Sequence, residues 1–312
     1  MSRIRRNIML GEWVIVSPHR ASRPFQDSSA TCPFCPGQPE TEGEWEVLTL
    51  SNRFAALTPD LGYFPLSNDI VMEAPPYGEC RVVVHSRHHD RQFENMSIDE
   101  IERVMREYRR VFAELDTKEH IHYVLQFENR GRPIGVSLDH PHSQVYALPF
   151  IPPRIEREMN QSKVFWEREG ECLLCDIIDK EMKSGDRVIN QTDEFVSLVP
   201  FGARLPYEVH IYPLEHVGSL VEMEGRLRGL STMIHDTTLR FSRVFDEVAY
   251  VMVFHCRPSA GEYPYWHFHI EFYPPWRDRR RMKYLAGIET GGWTYTNDSL
   301  PEEKARELRE AI

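Results

Sequence analysis

The chain lacks any long apolar run: no stretch of its 312 residues approaches the roughly 20 apolar positions needed to cross a bilayer. Its start, MSRIRRNIMLGEW, also lacks an apolar core followed by a small-residue cleavage site. A cytoplasmic protein with no membrane partner is therefore expected. Basic charge is in deficit, with 37 Lys and Arg against 48 Asp and Glu and a formal net charge of −11. Because nucleic-acid binding rests mainly on cations neutralising backbone phosphates, no nucleic-acid partner is expected. Cysteine is scarce, yet four of the six residues form two Cys-x-x-Cys pairs, Cys32 with Cys35 and Cys172 with Cys175. In a reducing compartment such pairs are more often metal ligands or redox centres than disulfides. Cys80 and Cys256 stand alone and read as buried thiols.

What is present is an ordinary globular composition, 41% hydrophobic and 27% charged, in a length that suits one or two domains. The sequence also repeats. Each Cys pair is followed by a strand-like run ending in a turn and a His, "RVVVHSRHH" at His89 and "YEVHIYPLEH" at His216. A helical stretch and a strand come next, and then "HPHSQVY" from His140 or "HFHIEFY" from His267. One shift of 127 relates His89 to His216, Tyr123 to Tyr250, Phe127 to Phe254, His140 to His267, His142 to His269 and Tyr146 to Tyr273. Such self-similarity is the mark of a duplicated unit.

Ser97 with Glu100 reads as a capping box, and Ile98, Ile101, Met105, Tyr108, Phe112 and Leu115 follow at helical spacing. The runs "VLQF", "VMVF" and "HIEFY" alternate with the period of a strand. The expected fold class is α+β: two tandem half-units, 1–150 and 151–312, each an antiparallel sheet with helices packed on it. Pro149, Pro152 and Pro153 end a strand before a charged linking helix, and Pro301 opens a terminal one.

Two thiolates and two imidazoles suit a tetrahedral structural zinc. The first half offers Cys32, Cys35, His89 and His140, with His88 beside His89 as a rival third ligand. The second half offers Cys172, Cys175, His216 and His267 at matched places, so one or two zinc ions per chain are expected. If a metal holds His140, His142 two residues on is a fixed imidazole with a free ring, able to attack phosphorus and form a phosphoramidate. Gln144 shares its face and can donate to a phosphoryl oxygen. Gly131, Gly135 and Ser137 in "NRGRPIGVS" let backbone donors approach a phosphate.

"FENRGRPIGVSLDHPHSQ" from Phe127 to Gln144 is similar to the active-site segment of the galactose-1-phosphate uridylyltransferase family, the duplicated branch of the histidine-triad superfamily. The resemblance extends to "GEWVIVSPHRASRP", "CPFCPG", "SNRFAAL", "PSAGEYPYWHFHIEFYPP" and "MKYLAGIETGG", nearly the whole chain. It implies that His142 takes UMP from UDP-glucose and passes it to galactose 1-phosphate, with Ser137 and Gln144 assisting. It further implies nucleotide contacts from Arg20, Arg23, Asn52, Asn129, Gly135, Ser137 and Gln144. Lys283 and Glu289 would hold the hexose across a homodimer interface. The best-known bacterial form carries a second metal on a Glu and three His; Glu158, His255 and His269 persist here, and Glu271 stands at the last position. Given Cys172 and Cys175, zinc on these cysteines with His216 and His267, as in plant-type relatives, is the favoured second site. Arg53, Ile288 and Tyr295 also depart from that form. With Glu271 at the place matching Gln144, the second half is expected to be catalytically silent. Two rival functions remain: an adenylyl-transferring relative of the ADP-glucose phosphorylase type, and a non-catalytic zinc-containing nucleotide-binding protein.

Overall fold

The computed structural model describes residues 2–22, 32–67 and 69–312. In chain order its regular elements are β1 (Arg3–Asn7), β2 (Glu12–Val16), β3 (Leu48–Ser51), β4 (Glu73–Ala74), β5 (Glu79–Val84), α1 (Ile98–Asp116), β6 (Tyr123–Arg130) and β7 (His142–Leu148). The linking helix α2 (Pro153–Glu169) leads to α3 (Leu173–Ser184), β8 (Val188–Gln191), β9 (Phe195–Leu198) and β10 (Val209–Pro213). Then come α4 (Leu227–Val244), β11 (Tyr250–His255), β12 (His269–Tyr273), α5 (Gly287–Gly292) and α6 (Pro301–Arg309).

The class is α+β, as expected, but the two half-unit sheets are joined edge to edge. One antiparallel sheet of nine strands runs β3-β5-β7-β6-β11-β12-β10-β9-β8, with the halves meeting where β6 pairs β11. A second sheet, β2-β1-β4, stands apart. Joining the halves pairs edges that would otherwise be left unsatisfied.

The helices lie where their apolar stripes demand. Ser97 caps α1 through the reciprocal bonds of a capping box with Glu100, and Ile101, Val104, Met105, Tyr108, Val111, Phe112 and Leu115 are buried. Their three- and four-residue spacing forms one face. That face and the Leu230, Met233, Ile234 and Phe241 stripe of α4 share one core with Val124, Val145, Val209, Ile211, Met252, Phe254, Ile270 and Phe272. Burial on this scale, at roughly 25 cal/mol per Å², dominates stability. The opposite face of the sheet carries α2 and the cysteine loops.

The repeat needs one correction. His142, Gln144 and Tyr146 lie on the α2-side face, and so do their partners at the shift of 127, His269, Glu271 and Tyr273. In the central strands the shift fails. Phe127 contacts Tyr146 on the α2 side and Tyr123 packs with Ile155, whereas Phe254 contacts Tyr108 of α1 and Tyr250 lies in the helical core. A one-residue difference in the following connection moves every side chain to the other face. The face-sharing counterpart of Asn129 is thus His255.

Candidate active site

Each cysteine pair is folded against two histidines. Cys32 and Cys35 Sγ both lie 3.7 Å from His140 Nδ1, and Cys35 Sγ lies 3.6 Å from His89 Nδ1. In the second half Cys175 Sγ is 3.4 Å from His216 Nδ1 and 3.3 Å from His267 Nδ1, with Cys172 Sγ 3.9 Å from His267 Nδ1. A tetrahedral ion with S at about 2.3 Å and N at about 2.0 Å puts its ligands about 3.5 Å apart. Both sets fit. His89, not His88, completes the first set. The local folds differ, because Cys172 is the N-cap of α3 whereas Cys32 and Cys35 sit in turns.

The ring tautomers follow from the acceptors. His140 Nε2 lies 2.7 Å from the Ser86 carbonyl and His267 Nε2 lies 3.0 Å from that of Pro213. A carbonyl only accepts, so each Nε2 carries the proton and Nδ1 turns a lone pair toward the sulfurs. Burial pushes the pKa of His140 down to about 4, which keeps that lone pair free. In the second pair a hydrogen bond from Cys175 pulls Cys172 down to about 3, while sharing that bond pushes Cys175 up.

His142 opens β7 rather than lying within it, and His140 precedes the strand; His269 and β12 repeat this. His142 Nδ1 donates to the His140 carbonyl at 2.8 Å. Its Nε2 is therefore the nitrogen without a hydrogen bond among the described residues, and burial lowers its pKa. The Phe34 ring, from inside the first Cys pair, packs on it at 5.1 Å between centroids.

A cleft beside His142 is lined by Asn129, Gly131, Val136 and Leu138. Gly131, at φ 89°, passes so close to β11 that a Cβ would stand 2.6 Å from the Val248 carbonyl. Gly135 is left-handed and ends the turn that presents Ser137. Asn129 and Gln144 are half-buried on the face of His142, and among the described residues their side-chain amides hydrogen-bond no protein group. Arg20 comes near the Tyr146 hydroxyl on the same face and donates to the Phe54 carbonyl at 2.8 Å. Asn52 accepts from the Phe54 amide at 2.9 Å. Arg23 lies outside the described residues. Lys283 and Glu289 are brought to each other, 3.3 Å apart and buried, rather than bonded to this cleft.

In the second half the face that carries Asn129, His142 and Gln144 bears His255, His269 and Glu271. His269 Nε2 is 3.6 Å from Glu271 and 4.0 Å from Glu158, so it faces carboxylates where His142 faces a cleft. Sequence reasoning missed Phe34, Arg154, Glu208 and His210. Phe34 was hidden within a ligand motif and the others within ordinary charge patterning.

A histidine nitrogen turned to a cleft beside a Cys-Cys-His-His set, on a duplicated antiparallel sheet, is the arrangement of a nucleotidyltransferase of the family whose models match this chain. The family model for the N-terminal domain of galactose-1-phosphate uridyl transferase matches residues 1–152, and that for its C-terminal domain matches 157–311. A galactose-1-phosphate uridylyltransferase of Thermotoga maritima is 37% identical, over 99% of this chain and 98% of that one. An ADP-glucose phosphorylase of Arabidopsis thaliana is 26% identical, over 98% and 92%. A solved uridylyltransferase structure superposes with a TM-score of 0.90 at 34% identity, covering 100% of this chain and 98% of that one. The chain belongs to the galactose-1-phosphate uridylyltransferase family.

Proposed function

We propose that the chain moves UMP between UDP-glucose and a hexose 1-phosphate, galactose 1-phosphate being the expected acceptor, through a uridylyl-histidine on His142. The observation that carries this reading is the tautomer of His142, with Nδ1 spent on the His140 carbonyl and Nε2 free. In the first half-reaction Nε2 attacks the α-phosphorus, the bond to the β-phosphate oxygen breaks, and glucose 1-phosphate leaves. The acceptor phosphate then attacks the same phosphorus and the N–P bond breaks, which gives ping-pong kinetics. Gln144 and Asn129 donate amide N–H groups to the phosphoryl oxygens, and the Gly135–Ser137 turn supplies further donors. Arg20 and Asn52 serve the nucleotide, and Arg23 is proposed with them from the family resemblance.

Zinc is proposed on Cys32, Cys35, His89 and His140 and on Cys172, Cys175, His216 and His267; when bound it supplies structural anchorage. The halves 1–150 and 151–312 then divide labour, the first reactive and the second silent. Lys283 and Glu289 are proposed to hold the hexose in a homodimer, with the neighbouring exposed Tyr284, Leu285 and Ile288 available for the contact.

Incubation with UDP-glucose labelled in the uracil ring is expected to leave about one UMP per chain on protein, and none on His142→Ala. Label retained by that variant would remove His142 from its role. The 26%-identical ADP-glucose phosphorylase supplies the second reading. A preference for ADP-glucose of more than tenfold in kcat/KM, about 1.4 kcal/mol of transition-state binding, would establish it instead.

A further inference from the structure

The family resemblance implies a metal on Glu158, His255, His269 and the residue at position 271, and those donors do lie within 4.8 Å of one another. The place of the cation, however, is already taken. Arg154, in the first turn of α2, sets one terminal nitrogen 2.5 Å from Glu271 Oε2 and its Nε 2.7 Å from Glu158 Oε1. One planar guanidinium thus forks between the two carboxylates an ion would need. The same group lies 5.1 Å over the Tyr273 ring, which holds it against the sheet.

The imidazole opposite is tied to one of the same carboxylates. His255 Nδ1 is 2.7 Å from Glu158 Oε2, and its Nε2 is 3.1 Å from Glu271 Oε2. Since an ionised carboxylate only accepts, Nδ1 donates to Glu158 and has no lone pair for a metal. The Arg154 guanidinium already pairs with both carboxylates. The cluster continues to His210, whose Nε2 is 3.3 Å from Glu271 Oε1 and 3.0 Å from Glu208 Oε1. That third carboxylate brings its own counter-charge, Arg204 at 3.7 Å. A divalent ion here would have to compete with the guanidinium for both carboxylates, like charge against like charge in a buried group. The residues therefore do not fit the metal that the resemblance implies.

We propose that Arg154 stands in for the cation: its guanidinium fastens the linking helix to β12 and keeps divalent metal out of the Glu158–His255–His269–Glu271 cluster. The consequence is that, among the described residues, the two Cys-Cys-His-His sets stay open to metal while this cluster is a latent site held shut by one side chain. Replacing Arg154 by methionine keeps the apolar stem and removes the positive charge, leaving two carboxylates to recruit an ion. Oxygen and nitrogen donors in this mixture favour manganese, iron or zinc.

The test is metal content, which needs no transfer activity and is independent of the substrate. After dialysis against 1 mM manganese chloride and desalting, the native protein is expected to carry no manganese by mass spectrometry. Arg154→Met is expected to gain about one equivalent and to unfold at a temperature that rises on manganese addition. A variant that folds yet gains no metal would show that the guanidinium is not what excludes it. Should Arg154→Met fail to fold, the native protein still decides: anomalous scattering from manganese-soaked crystals, with density among Glu158, His269 and Glu271, would overturn the proposal, and its absence there would uphold it.

Discussion

Of two buried side chains that the sequence did not single out, one covers His142 and the other sets how stability responds to pH. Phe34 lies between two cysteines that read as metal ligands by spacing alone, and nothing in that spacing says where the intervening ring points. In the structure it is buried against Val82 and Val84 and covers the His142 imidazole. A ring there is placed to shield the N–P bond of the proposed intermediate from water. Phe34→Ala is expected to hydrolyse isolated uridylyl-enzyme about tenfold faster, roughly 1.4 kcal/mol in barrier, with zinc content unchanged and Phe34→Leu largely restoring it. An unchanged hydrolysis rate in the alanine variant would deny the ring that part. Glu128, on the opposite face of β6, is 1% exposed and bonded to the Tyr250 hydroxyl at 3.3 Å. Burial raises its pKa to about 8 from an ordinary 4.5. Between those values the folded chain holds a proton the unfolded chain has lost, so this group makes stability fall as pH rises. Glu128→Gln is expected to remove that decline and to be the more stable protein at pH 9 by roughly 2–5 kcal/mol in urea unfolding. A parent and variant that track each other from pH 5 to 9 would refute it.

At the scale of elements, the sequence was most legible where a local rule and the tertiary fold agree. The capping box at Ser97 and the apolar spacing behind it place α1 correctly, because both signals are contained within the helix itself. Ser97→Ala removes the bond from the Glu100 amide and is expected to cost about 1 kcal/mol in urea unfolding with no effect on turnover. A loss below a few tenths would mean that α1 is held by its packing alone. The central strands were legible as strands but not in their facing. Tyr123 and Tyr250 match by letter, as do Phe127 and Phe254, yet they point to opposite sides. Strand periodicity fixes which residues share a face within one strand, whereas the length of the connection to the next strand decides which face that is. The nine-stranded continuity was hidden for a related reason. Residues of β6 pair with residues of β11 about 120 positions later, and no local pattern encodes so distant an edge.

Over the whole molecule, duplication has placed the same donor set twice and given the two copies different consequences. In each half a His backed by a carbonyl meets two thiols, and the residue two positions on opens a strand. In the first half that residue presents a free nitrogen to a cleft; in the second it faces Glu158 and Glu271, under a helix fastened by Arg154. The Cys and His positions were visible in the sequence because a four-donor set needs those residue types at those spacings. The asymmetry was not, because it depends on a charge arriving from the linking helix. Loss of either metal should therefore destabilise the fold, but only loss of the first should disarm the chemistry. Cys35→Ser and Cys175→Ser are each expected to carry about one zinc fewer and to unfold at a lower temperature. Scored per folded molecule at 10 °C, Cys175→Ser should still form close to one uridylyl-histidine per chain. Cys35→Ser should form under a tenth of that, since His140 no longer holds the carbonyl that orients His142. Equal labelling by the two variants would mean that the first metal set does not position the nucleophile.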